Sequence, residues 1–226
     1  MNILVVVAHP DDEVLGAGAT LYQMTQLGHA AWVCILSGEV NARTNRPDIQ
    51  DLHDDVSSSL RRLGVQQVIK GSFPNIEFNT VPHLQLVQFI EQAIVESQAD
   101  LILTHNPADT NNDHMHTSLA CQAALRLFQR RPEIKAPREL LFMEVSSSTE
   151  WSVNHALNPF RPNTFVEVGE AGVKAKLEAL AEYQGVMRPY PHPRSVEAIR
   201  GLAAYRGSQA GLVYAEAFES VFRRGF

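Results

Sequence analysis

Two stretches of the chain gather side chains able to do chemistry. The first is Ala8-His9-Pro10-Asp11-Asp12-Glu13, which places one imidazole and three carboxylates within five positions. The second is His105-Asn106-Pro107-Ala108-Asp109-Thr110-Asn111-Asn112-Asp113-His114-Met115-His116. A neutral imidazole and a carboxylate are ordinary ligands for zinc or another borderline divalent ion, and a tight turn can aim His9 and Asp12 at one point. A catalytic site takes about three protein ligands and keeps a further position for water. The second stretch is the natural donor of the third, with His114, at the start of a helix, as the candidate and His116 beside it. Asp11 is then left over. A carboxylate next to a metal-activated water can serve as general base, which is metal-assisted hydrolysis of the kind suited to an amide or ester. Plainer roles compete with these. Asp11 or Asp12 can cap a helix and Glu13 can face its dipole, and Asp109 and Asn111 can shape a turn or cap.

The elements that must position these residues read as an alternation. Ile3-Leu4-Val5-Val6-Val7 is a continuous apolar run, the pattern of a strand in a parallel sheet covered on both faces. In such sheets the chemistry lies just past the carboxyl ends of the strands. A helix over 14–27 follows, then a strand over 30–36, a polar loop over 40–48 with Arg43, a helix over 50–63 and a strand over 65–70. That order implies right-handed crossovers. A helix over 84–97 follows Pro82, then a short strand over 100–104, a long helix over 114–130 and a strand over 140–145. Beyond Ser146 the alternation loosens. A short strand over 164–168 and a helix over 173–183 precede Arg188-Pro189-Tyr190-Pro191-His192-Pro193-Arg194-Ser195, whose three prolines forbid regular structure. Ser195 caps a last helix over 196–206, and the tail over 213–222 is apolar enough to pack. The fold class expected is α/β: a Rossmann-like, mainly parallel sheet with helices on both faces. Residues 1–226 are expected to form one domain, with a Rossmann-like part over about 1–145 and C-terminal loops and helices over 146–226 completing the site.

The composition narrows the function. With 45% hydrophobic and 19% charged residues the chain is ordinary globular material. No stretch approaches the roughly 18 consecutive apolar residues of a membrane span, and the first strand begins too early for a cleavable leader. A cytoplasmic protein is expected, with no membrane partner. Cys34 and Cys121 are expected to be buried thiols. A net charge of −6 argues against nucleic acid. A nucleotide-binding module on the same sheet is the rival of another class. The first turn lacks the glycine fingerprint such a module needs, because Gly16 and Gly18 come too late. A homo-oligomer stays open.

The first motif, together with Asn111-Asn112-Asp113-His114, resembles the PIG-L/LmbE-like family of zinc-dependent N-deacetylases. Ser147-Ser148-Thr149-Glu150-Trp151, Tyr190-Pro191-His192-Pro193-Arg194-Ser195 and Tyr214-Ala215-Glu216-Ala217-Phe218 are similar to one bacterial branch of it. The resemblance implies hydrolysis of an N-acetyl group, usually on an N-acetylglucosamine-type sugar or conjugate, with zinc. It matches His9 and Asp12 to metal ligands and Asp11 to the general base. It favours His114 over His116 as third ligand and makes Asp113 a supporting carboxylate. The family's His-x-Asp-His motif begins here with Asn111. Asn cannot carry a proton, although it can donate a hydrogen bond to an oxyanion. His192, in a proline-stiffened loop, is therefore a second candidate for stabilising the oxyanion or protonating the leaving amine. His105 is expected to support a ligand, and Arg194 and Arg43 to contact a polar or phosphorylated substrate. A metal-dependent amidase or esterase on another substrate class, or a non-catalytic metal-binding protein, is the alternative.

Overall fold

The structure is a computed structural model and describes residues 1–38, 49–153 and 159–225. The loop expected over 40–48, with Arg43, lies outside the described residues. Among those described, seven strands form one sheet in the order β3-β2-β1-β4-β5-β7-β6. These are β1 Asn2–Val7, β2 Ala30–Ile35, β3 Gln67–Lys70, β4 Leu101–His105, β5 Glu139–Met143, β6 Thr164–Glu167 and β7 Ala215–Arg223. The first five run parallel, and β7 is antiparallel to both β5 and β6. The mostly parallel Rossmann-like sheet is thus as expected. The tail is more than packing material: it enters the sheet as β7.

β1 is central, and its residues explain why its sequence reads as continuous Val, Ile and Leu. Ile3, Val5 and Val7 face one apolar layer, shared with helices α1 Asp12–Gln26, α2 Ile49–Arg62 and α6 Gly169–Glu182. Leu4, Val6 and Ala8 face the other, shared with α3 His83–Ser97 and α4 Asn112–Ala124. Both faces of the strand are dry, so alternation disappears. Its neighbours are β2 and β4. Helices are therefore carried to opposite faces from β1 and β4, and their carboxyl ends open a crevice at a topological switch point. The helix expected over 114–130 is two pieces, α4 and α5 Leu127–Arg130, separated by a turn at Leu125 and Arg126. The last helix, α7 Val196–Ala210, has the expected cap, with the Ser195 hydroxyl accepting from the Ala198 N–H at 3.1 Å.

Gly16 lets α1 lie against β5: a Cβ there would collide with the Met143 thioether. One buried ion pair fastens the C-terminal part to α1. The Lys176 ammonium donates to Glu216 Oε1 at 2.6 Å and to the Leu15 carbonyl at 2.7 Å. Glu216 in turn accepts from the N–H groups of Ala19 and Thr20. Removing one member of a buried pair strands the other charge, which costs about 3–5 kcal/mol. Glu216→Ala should therefore lower the urea midpoint by that much stability at an unchanged m-value.

Candidate metal centre

The site begins where β1 ends. Asp11 adopts φ 93°, ψ −26°, a left-handed conformation in which the chain turns sharply into α1. Asp12 opens that helix, where the positive end of the dipole favours a carboxylate. Its Oδ2 accepts the His9 backbone N–H at 3.0 Å, which folds the carboxylate back over the strand end. His9 Nδ1 lies 3.4 Å from the same oxygen. β4 delivers the second stretch alongside. Asn111 caps α4, its side-chain oxygen accepting the Asp113 N–H at 2.9 Å. One residue further on, His114 turns Nε2 to within 3.2 Å of Asp12 Oδ2.

One ligand atom from each of His9, Asp12 and His114 lies within 4.8 Å of the others, and all three residues are buried. Each histidine is also held from behind. His9 Nε2 is 2.9 Å from Asp113 Oδ2, and His114 Nδ1 is 2.9 Å from Asp109 Oδ2. Asp113 is itself fixed by the N–H groups of Ile76 and Phe78, at 2.6 and 3.0 Å. A carboxylate on the outer nitrogen fixes the ring and leaves the inner nitrogen's lone pair for a cation. This donor set fits a borderline divalent ion. A second group, His105, Asp109 and His114, is equally close. In that group His105 Nε2 accepts the Ala8 N–H at 2.9 Å and His114 Nδ1 holds Asp109 Oδ2, while His105 Nδ1 and Asp109 Oδ1 are buried without a hydrogen-bond partner. His105 also stacks on His114, with ring centroids 3.8 Å apart, and stiffens it from below.

Charge in this cluster is shared by close pairs. Burial works to discharge His114, but Asp12 and Asp109 outweigh it and raise its pKa to about 10. Burial likewise opposes the charge on Asp12, and His114 overcomes it, holding that carboxyl well below the usual range. Burial, followed by the charge of His114, pushes His105 well below its ordinary value, so it stays neutral.

The cluster opens on a cleft of about 850 Å³. Asp11, Asn111, His192 and Arg194 line it together with His9, Asp12 and His114. Arg194 Nε donates to Ser147 Oγ at 2.7 Å, and its Nη1 lies 3.4 Å from Asp11 Oδ2. His192 is exposed, and its Nδ1 accepts the Arg194 backbone N–H at 3.0 Å. Its proton therefore sits on Nε2, which is left as a donor. Burial, Arg194 and Arg188 together lower its pKa. His116 is not in the cluster. Three roles differ from or add to the sequence reading, which made Asp109 a turn or cap residue and Glu13 a dipole partner. Asp109 orients His114, Arg188 lines the cleft, and Glu13 is buried and hydrogen-bonded to the Tyr183 hydroxyl. Burial raises the Glu13 carboxyl to about 8 despite that bond.

A Rossmann-like sheet with a His-Asp-His cluster open to a polar cleft at its switch point defines the class: an α/β protein with a candidate metal centre. The family profile described as PIG-L: GlcNAc-PI de-N-acetylase matches residues 4–125. The uncharacterized deacetylase YaiS of Escherichia coli (strain K12) is 30% identical over 192 residues, covering 81% of this chain and 90% of that protein. The chain belongs to the PIG-L/LmbE-like family of deacetylases. Among solved structures, the conserved protein TT1542 from Thermus thermophilus superposes with a TM-score of 0.81 at 25% identity, covering 100% of this chain and 97% of that one. GalB, the 4-carboxy-2-hydroxymuconate hydratase of Pseudomonas putida KT2440, has a TM-score of 0.79 at 21% identity, with 100% and 98% covered. The N,N'-diacetylchitobiose deacetylase of Pyrococcus horikoshii has a TM-score of 0.73 at 17% identity, with 97% and 83% covered. The fold thus carries a hydratase as well as deacetylases.

Proposed function

We propose that the protein is a zinc-dependent N-deacetylase that removes the acetyl group from an N-acetylglucosamine-type sugar or sugar conjugate. The observation that carries this reading is the paired support of His9 by Asp113 and of His114 by Asp109, which leaves His9 Nδ1, Asp12 and His114 Nε2 facing one another at the cleft floor. These three residues would hold the ion. When bound, a divalent ion there supplies Lewis-acid polarisation of the acyl carbonyl and lowers the pKa of water. The chain's own residues do the rest. Asp11 accepts a proton from the attacking water and delivers it to the leaving amine as the C–N bond breaks, giving acetate and a free amine. Arg194 steers the Asp11 carboxylate. His192 Nε2–H, with the Asn111 amide as a second donor, stabilises the oxyanion. Asn111 thus replaces the family's histidine as a donor but not as a proton carrier.

Residues 1–226 act as one deacetylase domain, the part beyond about 145 supplying His192 and Arg194 to the cleft. Cys34 and Cys121 are buried and unbridged, which fits a reducing cytoplasm. Among the described residues no helix is long and apolar enough to cross a membrane.

The test is acetate release by zinc-loaded protein from N-acetylglucosamine, N,N'-diacetylchitobiose and acetylated glycoconjugates, with N-acetyl amino acids and simple esters as the competing class. Turnover of the sugars supports the reading. Cleavage confined to the other class favours the amidase or esterase alternative, and no acetate from any sugar at full zinc occupancy overturns the proposal. The supporting carboxylates give a second expectation. Asp113→Asn should weaken zinc binding about 10–100-fold, read by competition with a chromophoric chelator, because Asn holds His9 without its charge.

A further inference from the structure

The scheme above makes no use of Glu13, yet this side chain is fully buried and its two oxygens are taken by groups far apart in sequence. Oε2 accepts the Asp11 backbone N–H at 3.1 Å. Oε1 accepts the hydroxyl of Tyr183, 170 residues away. An ordinary dipole partner in the first turn of a helix would face water. Glu13 instead turns inward beneath its own helix.

Its placement bears on Asp11. A non-glycine residue at φ 93° costs on the order of 1–3 kcal/mol and persists only where its surroundings over-determine it. Both backbone polar groups of Asp11 are pinned. The carbonyl accepts from Val14 and Leu15 at 3.1 and 2.9 Å, and the N–H goes to Glu13. The other end of the connection is no looser. Tyr183 is 2% exposed and ends α6, and Gln184, Gly185 and Val186, which follow it, form one wall of the cleft.

We propose that Glu13 is a positioning residue for the reaction. Held by Tyr183, it grips the Asp11 N–H and fixes the left-handed backbone that sends the Asp11 carboxylate into the cleft and away from the metal ligands. The inference rests on the reading of Asp11 as general base. Through Tyr183 it also ties the geometry of that base to the cleft wall.

Zinc content, kcat and KM of Glu13→Ala, Glu13→Gln and Tyr183→Phe test it, together with a crystal structure of Glu13→Ala. Glu13→Ala should bind zinc at the wild-type stoichiometry and keep its KM, while kcat falls about 10²-fold, the cost of a misplaced reacting group. In its crystal structure Asp11 should leave the positive-φ region. Glu13→Gln should restore most of the turnover, since its amide oxygen can accept from Asp11 and its NH₂ can donate to the Tyr183 oxygen. Tyr183→Phe should lower kcat with zinc retained, and it carries the test if Glu13→Ala does not fold. Wild-type kcat in Glu13→Ala or in Tyr183→Phe overturns the inference. So does loss of zinc from Glu13→Ala, an unmoved Asp11 backbone, or a Glu13→Gln as impaired as the alanine variant. If the wild-type protein releases no acetate, the deacetylase reading fails, and the Asp11 backbone in the Glu13→Ala crystal still decides the role of Glu13.

Discussion

Asp11→Asn should lower kcat for acetate release about 10²–10⁴-fold, the usual contribution of a positioned general base, and should leave zinc content unchanged. Asp11 and Asp12 are neighbours in sequence but do different things in space. Asp12 Oδ2 sits among His9 and His114, and Asp11 is outside that cluster. The left-handed turn at Asp11 separates them, so that Asp11 lines the cleft beside Arg194. Asn keeps the size of the side chain and an oxygen for Arg194 but cannot take a proton. The measurement is steady-state acetate release on protein of known zinc content. Full activity in this variant would remove Asp11 from the chemistry.

His114→Ala should have the largest effect on the metal. The variant should lose zinc affinity by more than about 100-fold, beyond what disturbing a supporting carboxylate costs. His114 is the one ligand from the second stretch, so its loss leaves two donors from a single turn. It also strips Asp12 and Asp109 of the imidazole between them and takes away the ring on which His105 stacks. Stranding buried carboxylates should destabilise the protein by roughly 3–5 kcal/mol. His116→Ala is the control, because His116 is two residues further along α4 and outside the cluster. Zinc bound by His114→Ala as tightly as by the wild type would break the assignment.

How much of this could be read in advance follows from distance along the chain. The β1 motif was legible because its parts are local: a strand dry on both faces, then a turn carrying His9, Asp11 and Asp12. The adjacency of β1 and β4 followed from the alternation of elements, and it brought His114 across. Ser195 was legible as a cap for the same local reason. The β7 strand was not, because Glu216 and Glu219 interrupt its apolar residues, so that neither a continuous apolar run nor a period of two shows. Asp109 looked like a turn residue, and only the fold of its loop shows it reaching His114. Glu13 and Tyr183, or Asp11 and Arg194, meet across most of the chain, and no spacing rule connects such pairs. The loops that shape the cleft are of this kind. The residues that meet in the His9, Asp12 and His114 cluster were therefore readable, and those that orient them were readable only in part.

The central claim is that His9, Asp12 and His114 together hold the ion that serves the chemistry. Anomalous diffraction at the zinc edge from crystals of the zinc-loaded protein tests it most directly. The account predicts one strong peak bonded to His9 Nδ1, an Asp12 carboxylate oxygen and His114 Nε2, at roughly 2.0–2.2 Å from each, with the remaining position open to the cleft. A peak elsewhere, a peak on the His105, Asp109 and His114 group instead, or no peak at all at saturating zinc would contradict it.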